Sequence, residues 1–363
     1  MHLSTPRFAL TGLLALGLLA CKKQDETPHE VTYTVSTVAG TGTAGRTDGA
    51  VATATFNLPN AIAIDGQGTL YVSDTENNCI RKITPAGVVS TLAGSGTAGL
   101  VDGPAATAQF EKPAGIAVDA QGTVYVADAN NNCIRKITAA GIVSTLAGSA
   151  SAGLADGPGP TARFYLPEGL TIDAQGNLYV ADSYNNRVRK ITPLGVVSTV
   201  AGSGPQHLQQ GAIENFADGP ITTARFSYPF GVAVDGQGTL YVADLYNNRI
   251  RKITPAGIVS TVAGSTNGFA DGTGTQAKFS EPTSVAVDGS NTIYVADYGN
   301  NCLRRISPSG QVSLFAGAAN HQGFADGPVA TSLFKGSISI ITVGNDLYIA
   351  DSFNHRIRKI TAQ

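Results

Sequence analysis

The chain has 363 residues, with 24 Lys and Arg against 26 Asp and Glu, a formal net charge of −2 and no basic run, which excludes a nucleic-acid surface built on charge. Gly is abundant (43 residues), Trp is absent and Met occurs once, a composition of short strands and many turns and not of helices. This length allows one large domain or two ordinary ones, and the internal repetition of the sequence favours one.

Residues 1–20 read as a targeting segment. Arg7 supplies positive charge, and Phe8 to Leu19 is an apolar run too short to span a bilayer as a helix. The run ends in Leu18-Leu19-Ala20-Cys21, which resembles a bacterial lipobox. That resemblance implies cleavage before Cys21 and acylation of its thiol, each buried acyl CH₂ contributing ~0.8 kcal/mol to membrane attachment. An ordinary secretory signal with a chance Cys is the alternative. Residues 21–30, with Lys22 and Lys23, then form a lipidated tether, and 31–363 the folded domain. By resemblance to Gram-negative lipoproteins, the absence of Asp directly after the Cys points to the outer membrane, on its periplasmic or surface face.

From residue 31 the sequence repeats. Thr69 to Thr84, TLYVSDTENNCIRKIT, recurs at 123–138, 177–192, 239–254, 292–307 and 346–361. The Asp of each copy (Asp74, Asp128, Asp182, Asp244, Asp297, Asp351) follows the last by 54, 54, 62, 53 and 54 residues. A fixed period of this size means stacked units or a closed ring. In the unit from Pro113 to Gly148, Gly115–Asp119, Thr123–Asp128, Ile134–Thr138 and Ile142–Ala147 are strand-like. Gln121-Gly122, Asn130–Asn132 and Ala140-Gly141 are the turns between them. Four antiparallel strands repeated six times predict an all-β, six-bladed β-propeller of four-stranded blades. The repeats open with Val35–Ala39, a fourth strand with no blade before it, and end with Ile357–Thr361, a third strand with no fourth after it. Joining the two completes the sixth blade and removes exposed sheet edges.

The position opening each first strand holds Ala61, Gly115, Gly169, Gly231, Ser284 or Ser339, small because strands crowd at the axis. The Tyr of each second strand (Tyr71, Tyr125, Tyr179, Tyr241, Tyr294, Tyr348) and the Phe of each linker (Phe56, Phe110, Phe164, Phe226, Phe279, Phe334) are expected to fill the space between blades. Each buried ring contributes about 1.5–3 kcal/mol. Cys79, Cys133 and Cys302 share one repeat position, where other copies carry Arg187, Arg249 and Arg356. A whole unit apart, they exceed the roughly 7 Å Cα limit of a disulfide and are expected as unpaired thiols. No close Cys or His spacing suggests a metal.

These units resemble NHL repeats, whose pattern runs Pro-x-Gly-(Ile/Val)-Ala-Val-Asp, then Leu-Tyr-Val-Ala-Asp, then Asn-x-Arg-Ile-x-Lys. Copies at 167–190 and 229–252 match closely, and the resemblance covers nearly all of 35–361. It implies a six-bladed propeller and leaves function open. The last copy departs: Ser337 replaces Pro, and a one-residue deletion puts Val343 where an Asp should stand. That blade is expected to be locally irregular.

The turn after each second strand and the long linker between blades fall on one face, and long loops are where binding concentrates. Each linker carries Asp-Gly at Asp48, Asp102, Asp156, Asp218, Asp271 and Asp326, read as an Asx-type turn. A ring of calcium sites is the alternative, but the dense Asp/Asn ladder of such loops is missing. The Asp ending each second strand also reads as turn chemistry, with the Arg at positions such as Arg187 and Arg249 as its expected partner. Positions that vary between copies carry more information. After the linker Pro, and after Ser337 in the last copy, come Asn60, Ala114, Glu168, Phe230, Thr283 and Ile338, predicted to rim an axial channel. Two residues after each second-strand Asp come Glu76, Asn130, Tyr184, Tyr246, Gly299 and Phe353, with Tyr298 one place earlier. Exposed aromatics beside polar groups suit sugar stacking or a peptide contact, although ordinary turn-tip side chains look the same. Extra residues Pro205 to Ala212 would raise a flap carrying His207. The candidate binding set is therefore Asn60, Glu168, Phe230, Thr283, Tyr184, Tyr246, Tyr298, Phe353 and His207, presented by a monomer to a protein or glycan.

Propellers of this kind also resemble amidating lyases, streptogramin lyases and gluconolactonase-type hydrolases, whose sites gather His, Asp or Glu around a metal. Here His2 lies in the leader, His29 in the tether, His207 and His321 in linkers and His355 in a turn. Glu168 is the only acidic residue at the predicted rim, and one carboxylate makes neither an acid–base pair nor a metal cage. No catalytic residue, metal or cofactor is assigned. The expected role is an envelope-anchored, non-catalytic binding or scaffold module. A metal-dependent lyase or lactonase-type hydrolase at the channel mouth is the alternative, and a structural ring within a larger envelope complex the third option.

Overall fold

A computed structural model describes residues 1–2, 31–203 and 216–363. The leader, the tether with Cys21 and His29, and the extra linker residues with His207 lie outside the described residues. The chain divides into Met1–Val31 and Thr32–Gln363, and the repeats occupy the second unit. No helix among the described residues is long and apolar enough to cross a membrane.

Thr32–Gln363 forms six antiparallel sheets, the blades of a propeller. In the first blade the inner strand Pro59–Ile64 is followed outward by Leu70–Asp74, Cys79–Ile83 and Val88–Ala93. A fifth, two-residue strand departs from the four-stranded expectation. It is the dipeptide after each linker Asp: Gly49 pairs with Val89 and Ala50 with Val88. In four blades it ends in Pro (Pro104, Pro158, Pro220, Pro328), which cannot donate to a further strand and so blunts the outer edge. The ring closes as the sequence indicates. Tyr33–Ala39 pairs antiparallel with Arg356–Ala362, Val35 standing opposite Ile360.

Apolar side chains at alternate positions are shared between neighbouring blades. Phe164 packs with Ile134 and Ala147 of the second blade and with Leu178 and Val180 of the third, and all six linker Phe side chains are fully buried. The strand tyrosines do two jobs. Tyr71 and Tyr294 are buried and the other four are half-buried. The Tyr71 hydroxyl donates to Asp65 Oδ2 at 3.0 Å, while Asp65 Oδ1 accepts the Gln67 and Thr69 N–H groups at 2.9 Å each. The expected irregularity of the last blade takes the form of a tighter hairpin. Val343 pairs with Asp346 across Gly344, whose φ of 59° a two-residue turn demands.

Crowding at the axis is steric. A Cβ on Gly115, Gly169 or Gly231 would come within 2.3, 2.3 or 2.5 Å of the carbonyl oxygen of Glu168, Phe230 or Thr283 on the next inner strand. Cys79, Cys133 and Cys302 are buried free thiols, and burial pushes the Cys79 thiol up to about 12.

Both linker and strand carboxylates belong to a buried ion cluster, which corrects two expectations. Arg81 is fully buried; its Nη1 donates to Asp74 Oδ2 at 2.7 Å and its Nη2 to Asp48 Oδ1 at 2.6 Å. The guanidinium lies over Phe56, 5.1 Å from the ring centroid. Arg135, Arg189, Arg251, Arg304 and Arg358 repeat the arrangement. The linker Asp is thus an ion-pair partner, and Asp48 also accepts the Thr91 N–H at 3.1 Å; it is no mere turn former. The partner of Asp182 is Arg189, at 2.6 Å, and not Arg187. Arg187 stands at the strand end, where its Nη1 donates to the carbonyls of Asn185 and Asn186; two residues on, Arg189 is enclosed between blades.

Candidate binding site

The strand-end Asp also builds the linker face. Asp74 Oδ1 accepts the Asn57 N–H of the linker at 2.7 Å, and Oδ2 accepts Asn77 Nδ2 of the following turn at 2.9 Å. That places linker end and turn side by side, as the alternation of connections predicts. The turn is one round of 3₁₀ helix, Thr75–Asn77, closed by Asn78 in the left-handed region.

Each inner strand is preceded by a second left-handed residue: Leu58, Lys112, Leu166, Tyr228, Glu281 or Gly336, with φ between 50° and 55°. Five of the six are not glycine, and all but Gly336 stand before Pro, where an extended backbone is normal. The strain is offset across the blade junction. Asn78 Oδ1 accepts the Lys112 N–H at 2.9 Å and Asn186 Oδ1 accepts the Tyr228 N–H at 2.7 Å, with Asn132, Asn248 and Asn301 acting alike. A variable side chain is thereby fixed between two turns at five of the six junctions, Gly336 having none. Lys112 uses this place to ion-pair with Glu76; Tyr228 uses it to pack between Tyr184 and Tyr246.

The axis holds a cavity of ≈ 390 Å³. Asn60, Glu168, Phe230, Thr283 and Ile338 line it as the repeat position indicates, with aliphatic walls such as Ile62, Leu170 and Val285. Ala114, expected beside them, is buried and is not part of the lining. Thr283 is buried too, its hydroxyl directed at the carbonyls of Ala296 and Ser337.

The predicted aromatics divide into two groups. Tyr184 and Tyr246 join a row with two rings that the repeat comparison did not single out. Tyr165 stacks on Tyr184 (4.8 Å between centroids, 20°), Tyr184 meets Tyr228 edge-on (5.3 Å, 80°), and Tyr228 packs on Tyr246 (5.0 Å) and Phe230 (6.2 Å). Tyr298 and Phe353 form a separate pair at 6.4 Å. Glu281 lies between the groups, its charge raising the pKa of both Tyr246 and Tyr298 after the larger effect of burial. Tyr228 was findable: its position varies between copies as the one after Pro does.

Glu168 gives the row its polarity. It lies deep among protein atoms yet is open to the cavity. Burial pushes its carboxyl up to about 8, against a smaller opposing pull from the neighbouring Tyr228 side chain. Burial and the Glu168 charge together push the Tyr228 hydroxyl up. Near neutral pH the free carboxyl is therefore largely protonated. Among the described residues, no three His, Cys, Asp or Glu side chains gather where they could hold a metal.

Residues 56–83, 164–191, 226–253 and 279–306 match the family model described as NHL repeat, and 99–161 match that of the Teneurin NHL domain. The chain is 30% identical over 281 residues to Protein SUPPRESSOR OF QUENCHING 1, chloroplastic, of Arabidopsis thaliana, which covers 74% of this chain and only 27% of that relative. Among solved structures, an auxiliary nutrient binding protein from Bacteroides thetaiotaomicron superposes with a TM-score of 0.68 at 17% identity, covering 92% of this chain and 77% of that one. A virginiamycin B lyase from Staphylococcus aureus gives 0.54 at 15% identity, over 91% of this chain and 99% of that one. At these identities the structural likeness establishes the fold alone.

Proposed function

We propose that this chain, a six-bladed propeller of NHL repeats, is a non-catalytic binding module recognising a protein or glycan through its linker face. The observation that carries the reading is the continuous row Tyr165, Tyr184, Tyr228, Tyr246 and Phe230, which reaches the axial cavity through Phe230. Rings with one polar end supply large contact area at low entropic cost and stack on sugars or on peptide side chains. The name of the Bacteroides nutrient-binding neighbour agrees with a ligand-capturing use of this architecture. The lipobox-like Leu18–Cys21 supports carriage of the module on a lipid anchor in the cell envelope, probed by mass spectrometry of the mature N-terminus and by membrane release of Cys21→Ser. Glycan-array and pull-down screens test the binding role, with Tyr184→Ala and Tyr246→Ala as controls. Capture that is lost in both variants supports the reading; capture that both retain in full refutes it.

The lyase or lactonase alternative draws on the fold of the lyase neighbour and on Glu168 at the cavity mouth. Its metal-holding donor set is missing among the described residues. Stoichiometric metal in the purified protein, lost on substitution of Glu168, would favour it over the binding role.

A further inference from the structure

We infer that the mouth of the axial cavity takes an alkylammonium group of the ligand, a cationic head on an apolar stem, with Glu168 as its counter-ion. The inference rests on the linker face being the binding face, and it names the chemistry that this face accepts.

The buried ion clusters show how this fold treats a carboxylate. Asp74, Asp128, Asp182, Asp244, Asp297 and Asp351 are each enclosed with an arginine at 2.6–3.1 Å. Among the described residues Glu168 is the one ionisable side chain lining the cavity, and no ion pair includes it. The repeat does not require an acid at this place, since other blades carry Asn60, Ala114, Phe230, Thr283 and Ile338 there. A carboxyl withdrawn from water without a cation is costly unless it stays protonated or is supplied with a partner.

The surroundings specify the partner. The rest of the lining mixes aliphatic side chains such as Ile62, Leu170 and Val285 with Asn60, Thr171, Ser339 and backbone, and the hydroxyls of Thr283, Ser284 and Thr342 are directed at backbone carbonyls of the protein. The aliphatic side chains offer contact to a slim apolar stem, and with those three hydroxyls engaged by the backbone fewer groups remain to hold a polyol. Beside Glu168 stand Phe230 and the Tyr228 ring, and the negative faces of aromatic rings attract ammonium groups. The polar end of Tyr228 beside the carboxyl favours the ionised form that an incoming cation needs. Because the free carboxyl holds its proton, binding of a cation expels it. Affinity must then rise with pH until the free carboxyl is ionised, near 8.

The test is calorimetric titration of the full chain with n-butylammonium and with n-butanol, near pH 6 and near pH 8.5. The amine is expected to bind at least about tenfold more tightly at the higher pH, with proton release at the lower, and the alcohol weakly and without pH dependence. Glu168→Gln, a close shape match for the protonated acid, is expected to weaken the amine at least about tenfold at pH 8.5 and to flatten its pH profile. Tyr228→Phe should shift that profile to higher pH. Amine binding no tighter than butanol at millimolar ligand, or unchanged in a folded Glu168→Gln protein, overturns the inference. The wild-type comparison of amine with alcohol decides the matter even if the variant fails to fold. Failed amine binding with macromolecular capture intact defeats this inference alone, whereas failed capture defeats the binding role from which it starts.

Discussion

The backbone N–H of Leu58 donates to Nδ1 of His355 at 3.2 Å, so the lock between first and last blades runs through an imidazole where the other five junctions use asparagine. An accepting Nδ1 carries no proton, and the lock requires neutral histidine. Burial, then the charges of Lys335 and Arg356, push the His355 pKa below its ordinary 6.5. A depressed histidine favours the fold while it is neutral. Its contribution is complete above about pH 6.5 and is lost as pH falls through the lower folded-state value. Melting temperature should therefore drop more steeply between about pH 7 and pH 5 in the wild type than in His355→Asn. Asparagine suits the left-handed backbone at this position, φ 52°, and restores the acceptor used elsewhere. Parallel pH profiles for the two proteins would refute the role given to the imidazole.

The buried arginines should dominate mutational stability. Arg189 satisfies Asp182, Asp156 and the carbonyls of Arg163 and Ala155 at once. Arg189→Met leaves Asp182 buried without a cation and is expected to cost about 3–5 kcal/mol in denaturant unfolding. Asp156 is half-exposed, with 48% of its side chain accessible, and Asp156→Asn should cost only about 1 kcal/mol. Equal losses in the two variants would mean that the buried half of the cluster is no more important than its wet half.

Much of this was legible in the sequence because identity recurs at a fixed step. The blade strands, the wedge of linker Phe and the closure of Val35–Ala39 on Ile357–Thr361 all follow from that period. The ion cluster was legible as well: Arg81, Arg135, Arg189, Arg251, Arg304 and Arg358 occur in every copy, whereas three copies have Cys in place of Arg187. Tyr228 was harder. Its place in the site depends on a left-handed backbone before Pro229, the reverse of what proline's neighbour normally adopts, and on an Asn186 side chain from the preceding blade. Such a conformation is set by a contact across the junction, which the local sequence does not display.

Closure by the first strand predicts a specific failure. Removing residues 31–39 uncovers the backbone of Arg356–Ala362, a seven-residue strand, and leaves the last sheet with an unpaired edge. Light scattering should show concentration-dependent association of the truncated chain, and hydrogen exchange should accelerate first in Arg356–Ala362. A truncated protein that stays monomeric and exchanges as the full chain does would show that the pairing is dispensable.

Glu168 makes its own prediction about stability, separate from any ligand. Its carboxyl, ordinarily near 4.5, is held up to about 8 by burial in the cavity wall. A raised acid favours the fold while it is protonated: the contribution is complete below about pH 4.5 and is lost as pH rises through 8. Glutamine keeps the shape and never ionises. Glu168→Gln should therefore melt at nearly the wild-type temperature near pH 5 and a few degrees higher near pH 9, the gap opening across that window. Removing the Tyr228 hydroxyl takes away a group that stabilises the ionised form, so in a Tyr228→Phe background the substitution Glu168→Gln should open a wider gap at pH 9. A gap of the same size at both pH values would show that the carboxyl is already ionised in the folded protein and that the cavity is wetter than its walls imply.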